Sequence, residues 1–94
     1  MITSVSNKKI KDLKKLKENK NIRKYKKYLI EGKHLIEEAL KVGVVEEIII
    51  GENFSDESLL TYFTGEVTVV SESIMKSITE TITTQGIIGV CRIE

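Results

Sequence analysis

Ninety-four residues, 40% hydrophobic and 31% charged, suit one globular domain with a modest core, and no apolar run approaches the roughly 18 residues needed to span a bilayer. The N-terminus lacks the residue order of a secretory signal, and Cys91 is a lone thiol with no internal disulfide partner, so a reducing, cytoplasmic setting is expected. The net charge of +1 hides an asymmetry: residues 1–33 hold twelve bases and three acids, net +9, and the remaining 61 residues net −8. Such a basic end is either a solvated lysine face or a polyanion-binding surface. Nucleic acid fits it better than an anionic membrane, because the bulky aromatic and leucine face of a membrane-binding helix is missing.

Met1 to Ser6 is a short lead in which Ser4 or Ser6 can cap a helix running to about Asn19. Ile10, Leu13 and Leu16 share one side of that helix. Lys8, Lys11 and Lys15 fall within about 60° of each other on the opposite side, from the 100° step per residue. Asn19-Lys20-Asn21 breaks the pattern, and Ile22 to Lys27 then brings Arg23, Lys24, Lys26 and Lys27 to the first strand. Tyr25, set among these bases, can stack on an unpaired nucleobase or cover the strand edge.

Tyr28 to Leu40 organises the rest of the chain. Its first half is a strand-forming apolar run, and its second half places Leu35, Ile36, Ala39 and Leu40 on one helical face. Glu31-Gly32 joins the two. Glycine permits a tight exit there, and the helix start leaves N–H groups that suit an anion or polar ligand; the plainer reading is a turn capped by Glu31. His34, the single histidine, lies just past this joint, where it can meet a ligand or serve as a surface or cap residue.

Gly43 suits a helix end, residues 44–51 a buried strand, and Ser55 the cap of a helix over 56–63 with Leu59, Leu60 and Phe63 inward. Residues 66–70 read as a third strand, Ser71 or Ser73 opens a short helix through Ile78, Thr79 to Thr84 is a polar loop, and Gln85-Gly86 leads into a last strand, 87–93. Apolar strands alternating with helices predict an α/β fold, a three-layer α/β/α sandwich on a mostly parallel four-stranded sheet. No acid pair, nucleophile triad, metal cluster, Walker loop or dinucleotide fingerprint is assembled, which favours a binding module over a complete enzyme.

Asn7-x-x-Ile-Lys-x-Leu-x-x-Leu, the basic run before Tyr28-Leu-Ile-Glu-Gly, the Glu38-Ala-Leu helix, Val70-Ser, Ile78-Thr-x-Thr and Thr83-Thr-Gln-Gly-Ile together resemble one family. It is the N-terminal substrate-binding domain of the SpoU, or TrmH-type, RNA 2′-O-ribose methyltransferases. The resemblance implies the fold shared with ribosomal and kink-turn RNA-binding proteins, and a domain spanning residues 1–94 that presents structured RNA, rRNA or tRNA, to a knotted SPOUT catalytic domain expected C-terminal to it. S-adenosylmethionine is implied for that further domain, with no cofactor and no catalytic residue in these 94 residues. The piece alone is then expected to be a monomer, and the parent a homodimer through the catalytic domain.

By residue, the resemblance supports Asn7, Lys8, Lys11, Arg23, Lys24, Glu31, Gly32, Gln85 and Gly86 as RNA contacts, to which the bottom-up reading adds Lys15, Lys26, Lys27 and His34. Glu31 and Gln85 can alternatively hydrogen-bond nearby backbone and shape the loops. Two positions depart from the related patterns. Thr84 stands where the family usually has proline, which predicts a more mobile turn, and Gly32-Lys33-His34-Leu35 replaces the Asn-Glu pair with which kink-turn readers recognise tandem G·A pairs. A stand-alone RNA-binding or ribosome-associated protein of the same fold, and a module docking an acidic protein, are the alternative readings.

Overall fold

In the computed structural model, which describes residues 1–80 and 84–94, α1 (Lys8–Lys15) is followed by a second helix, α2 (Asn19–Tyr25), before the first strand. The expected single helix to about Asn19 ends early. Leu16, Lys17 and Glu18 N–H groups each donate to the carbonyl three residues back at 3.1–3.2 Å, tightening the turn, and Glu18 then becomes extended. Asn21 does not break the chain. Its side-chain amide donates to the Lys15 carbonyl at 3.0 Å and braces the joint from within α2. The α1 cap is Asn7, whose Oδ1 accepts from Lys9 N–H at 2.8 Å, and Ser4 and Ser6 bond each other instead.

The remaining elements are β1 (Lys27–Glu31), α3 (Lys33–Val42), β2 (Val45–Gly51), a 3-10 turn at Glu57–Leu60, β3 (Glu66–Val70), α4 (Glu72–Thr79) and β4 (Ile87–Arg92). The sheet order is β1-β4-β2-β3, with β2 and β3 parallel and β4 antiparallel to both β1 and β2. The sheet is therefore mixed, not mostly parallel. β1, β2 and β3 do share a direction, as strand–helix alternation requires. After β3, however, α4 carries the chain sideways, from Val70 beside Gly51 to Ile78 and Thr79 beside the end of β1. Eight residues of helix span about 12 Å, comparable with about 14 Å across three strand spacings, so the chain stays at the same end of the sheet. β4 must then run back, between β1 and β2.

Successive strand residues point to opposite faces and feed two apolar clusters. Leu29, Ile49, Ile88 and Val90 pack with Ile10, Leu13 and Leu16 of α1 and Ile74, Met75 and Ile78 of α4. Ile30, Ile48 and Ile87 pack with Ile36 of α3 and with Leu59, Leu60 and Phe63. Those last three face inward as expected, but the expected helix over 56–63 is only the 3-10 turn Glu57–Leu60, and Asp56, not Ser55, caps it, accepting from Ser58 N–H at 3.2 Å and Ser58 Oγ at 2.6 Å. Ser71 caps α4 and left-handed Gly43 ends α3, as the sequence predicts. The lead also has a role: Ile2 N–H donates to the Val69 carbonyl and Ser71 N–H to the Ile2 carbonyl, both at 2.9 Å, covering part of the free edge of β3. Of the expected 79–84 loop, Thr79 belongs to α4 and residues 81–83 lie outside the described residues.

Candidate nucleic-acid interface

The candidate residues gather in two groups separated along β1, whose four-residue rise is about 13 Å. One group flanks its start, at Lys27, and the other surrounds its end, at Glu31.

In the first group, lysine pairing differs from an open row of ammonium groups. Lys8 reaches Asp12 at 2.9 Å and Lys15 reaches the same carboxylate at 3.6 Å, while Lys27 pairs with Glu46 at 3.3 Å. The hydrogen bond and charge of Asp12 raise the Lys8 pKa, and the Lys8 hydrogen bond lowers that of Asp12. Lys9, absent from the candidate set, fastens α1 to the sheet through Glu47 and, at 3.3 Å, Glu66. Partial burial opposes its charge, but the hydrogen bonds and charges of those two carboxylates leave its pKa raised. Lys26 is left-handed at φ 59° and its carbonyl accepts from Ile93 N–H at 2.9 Å. Among the described residues, five cations of the basic segment form no ion pair: Lys11, Lys14, Arg23, Lys24 and Lys26. Of the expected trio on α1, only Lys11 is unpaired.

In the second group, Glu31 joins β1 to the segment before β4. Its Oε2 accepts from Thr84 Oγ1 at 2.6 Å and from Gln85 N–H at 3.2 Å, and Thr84 Oγ1 accepts from Gly86 N–H at 3.1 Å. Glu31 is thus a loop-shaping residue and does not cap α3. Thr84 replaces the preset bend of proline with hydrogen bonds, a role the sequence comparison with proline obscured. Gly32 donates to the Ile87 carbonyl at 3.1 Å, and Gly51 N–H to that of Gly86 at 2.9 Å, completing the joint. Gly32 is buried at φ +103°, and a Cβ there would lie 2.7 Å from the Gln85 amide oxygen. α3 therefore begins on a glycine with no side-chain cap, with exposed His34 in its first turn and Lys33 tied to Asp56.

The fold so arranged belongs to a class of domain already seen in RNA-modifying enzymes. Ninety-nine per cent of the chain superposes on 37% of an RNA 2′-O ribose methyltransferase, with a TM-score of 0.85 and 31% identity. It also superposes on 36% of an rRNA methyltransferase from Sinorhizobium meliloti, with a TM-score of 0.83; at 23% identity that likeness concerns the fold alone. In sequence, the chain is 43% identical over 92 residues to the 23S rRNA (guanosine(2553)-2'-O)-methyltransferase RlmP of Bacillus subtilis (strain 168). That match covers 96% of this chain and 36% of the relative, so the chain spans about a third of the relative's length. The profile of the MRM3-like substrate binding domain matches residues 7–89, and the chain belongs to this family. The resemblance carried by the motifs from Asn7 to Ile87 is borne out at that level.

Proposed function

We propose that these residues form the RNA substrate-binding domain of an S-adenosylmethionine-dependent rRNA 2′-O-ribose methyltransferase. Family membership supplies the class, and the five unpaired cations around α1 and α2 carry the physical reading. Lysine and arginine side chains hold phosphates and set the position of the RNA, which leaves the choice of nucleotide to other contacts. The apolar clusters on opposite faces of the sheet support a three-layer α/β/α arrangement, with both groups of candidate residues at its margins.

S-adenosylmethionine is assigned to the part of the relatives that this chain does not span. It is a methyl donor, and this chain matches only the 36% of the RlmP relative that corresponds to its substrate-binding domain. No helix among the described residues is long and apolar enough to cross a membrane. The proposal places the protein in the cytoplasm, this domain alone as a monomer and the longer protein as a homodimer.

Fluorescence anisotropy with a structured rRNA fragment tests the reading. If the five unpaired cations neutralise five phosphates, log K falls against log salt with a slope of about −3.5 to −4.5, from roughly 0.7–0.9 per contact. Changing Lys11, Arg23 and Lys24 together to glutamate should flatten it by about 2 to 3 on the same basis. An unchanged slope removes this face from the interface.

A further inference from the structure

The cleft between α1 and the start of β1 has a floor and a rim of opposite character. Leu13, Leu16 and Val90 form an apolar floor, each at most 7% exposed, while Lys8, Lys15 and Lys27 stand on the rim and the part-buried Lys9–Glu47 ion pair closes one side. Tyr25 lines the same cleft and keeps 44% of its surface exposed. The volume is about 590 Å³, inside the roughly 300–1,000 Å³ range of sites that enclose small ligands. Because its floor is already packed in the core, no rearrangement is needed to create it.

An aromatic ring over an apolar floor, edged with ammonium groups, matches the parts of a nucleotide. The base offers two stacking faces and the backbone offers a phosphate on either side. The Lys24 ammonium lies 5.3 Å from the centre of the Tyr25 ring, a cation–π contact on one of its faces that leaves the other for a base. Asp12 is the other instructive residue. Standing 2.9 Å from Lys8 and 3.6 Å from Lys15, it occupies both cations with a carboxylate from the same helix. It stands where a phosphate would compete.

We propose that this cleft receives one unstacked nucleotide from a single-stranded stretch of RNA, its base against Tyr25 and its phosphates on Lys8 and Lys15, which exchange Asp12 for them. The inference rests on the RNA-binding reading above and adds to it a place for one nucleotide and an internal competitor for the phosphates.

The test uses the 94-residue chain and a short single-stranded RNA carrying 2-aminopurine, with affinity read by anisotropy and stacking by quenching of the 2-aminopurine. Tyr25→Phe should bind as the parent does. Tyr25→Ala should lose about 5- to 150-fold, the range for removing one base–aromatic stack, and should abolish the quenching. Tyr62→Ala, on a ring 93% exposed and outside the cleft, should change neither. Asp12→Asn should tighten binding about 2- to 5-fold, the scale of an exposed ion pair. All three positions are exposed, and circular dichroism checks that the four variants fold. If the parent chain binds no RNA, the proposed function fails as well. If RNA binds but Tyr25→Ala matches the parent, or Asp12→Asn is no tighter, this inference alone is overturned. Displacement of the RNA by polyglutamate as readily as by unlabelled RNA would overturn the nucleotide as occupant in favour of an acidic protein.

Discussion

Gly32→Ala isolates the joint between β1 and α3. The residue sits at φ 103° and ψ 149°, in a region open essentially only to glycine, where another residue costs about 1–3 kcal/mol. The added Cβ would also lie 2.7 Å from Oε1 of Gln85. That contact is the lesser effect, because the Gln85 side chain is exposed at the surface and can swing away. Urea unfolding followed by far-UV circular dichroism should show a loss near 2 kcal/mol, about 1–2 M in midpoint with the slope unchanged. The corresponding fall in melting temperature is about 8–16 °C for a domain of this size. Adding Gln85→Ala should recover only a minor part. Full recovery would mean that the contact, not the backbone, sets the loss, and a loss under about 0.5 kcal/mol would refute both.

Two further outcomes follow from the polar contacts. Thr84→Val removes the hydroxyl that donates to Glu31 and accepts from Gly86 N–H, so it should destabilise by about 1–2 kcal/mol, whereas Thr84→Ser should stay near the parent; equal melting temperatures for the valine and serine variants would contradict this. The Lys33 hydrogen bond, followed by that of Ser58, lowers the Asp56 pKa from its ordinary 3.8, so the carboxylate adds stability above the unfolded value and loses it as pH falls through the lowered folded value. The melting temperature should therefore decline below about pH 4, and Asp56→Asn should make that acid decline shallower; an identical acid limb in the variant would refute the assignment.

Much of this architecture is legible in residue order because it depends on local chemistry. Gly43 and Ser71 mark helix ends through conformations and bonds made within a few residues, and Ile10, Leu13 and Leu16 reveal their buried side by spacing alone. Strand direction is different. Ile87 to Cys91 is buried throughout, and such a run suits a central strand running either way. Its reversal follows from the path of α4, a tertiary fact. The lysines follow the same division. Asp12 is a helical neighbour of Lys8 and Lys15 and could be paired with them from sequence, but Glu47 and Glu66, which hold Lys9, lie in strands far along the chain. Glu31 illustrates a third case, since an acid before a glycine and a helix reads locally as a cap, yet its partners are Thr84 and Gln85.

Placing β4 between β1 and β2 also sets an order of events during synthesis. β2 and β3 can pair soon after Val70 emerges, but β1 has no neighbour in the sheet until residues 87–92 arrive, when Lys27 meets Arg92 and Glu31 meets Ile88. Such distant pairings make the final step slow relative to local helix formation. The floor of the Tyr25 cleft includes Val90, and the Glu31 joint requires Thr84 and Gln85, so both groups of candidate residues are completed only when residues 84–92 of this domain have been made. A nascent chain that has not yet released β4 from the ribosome carries the lysines but not the cleft, and it gains the shaped surface only as the sheet closes.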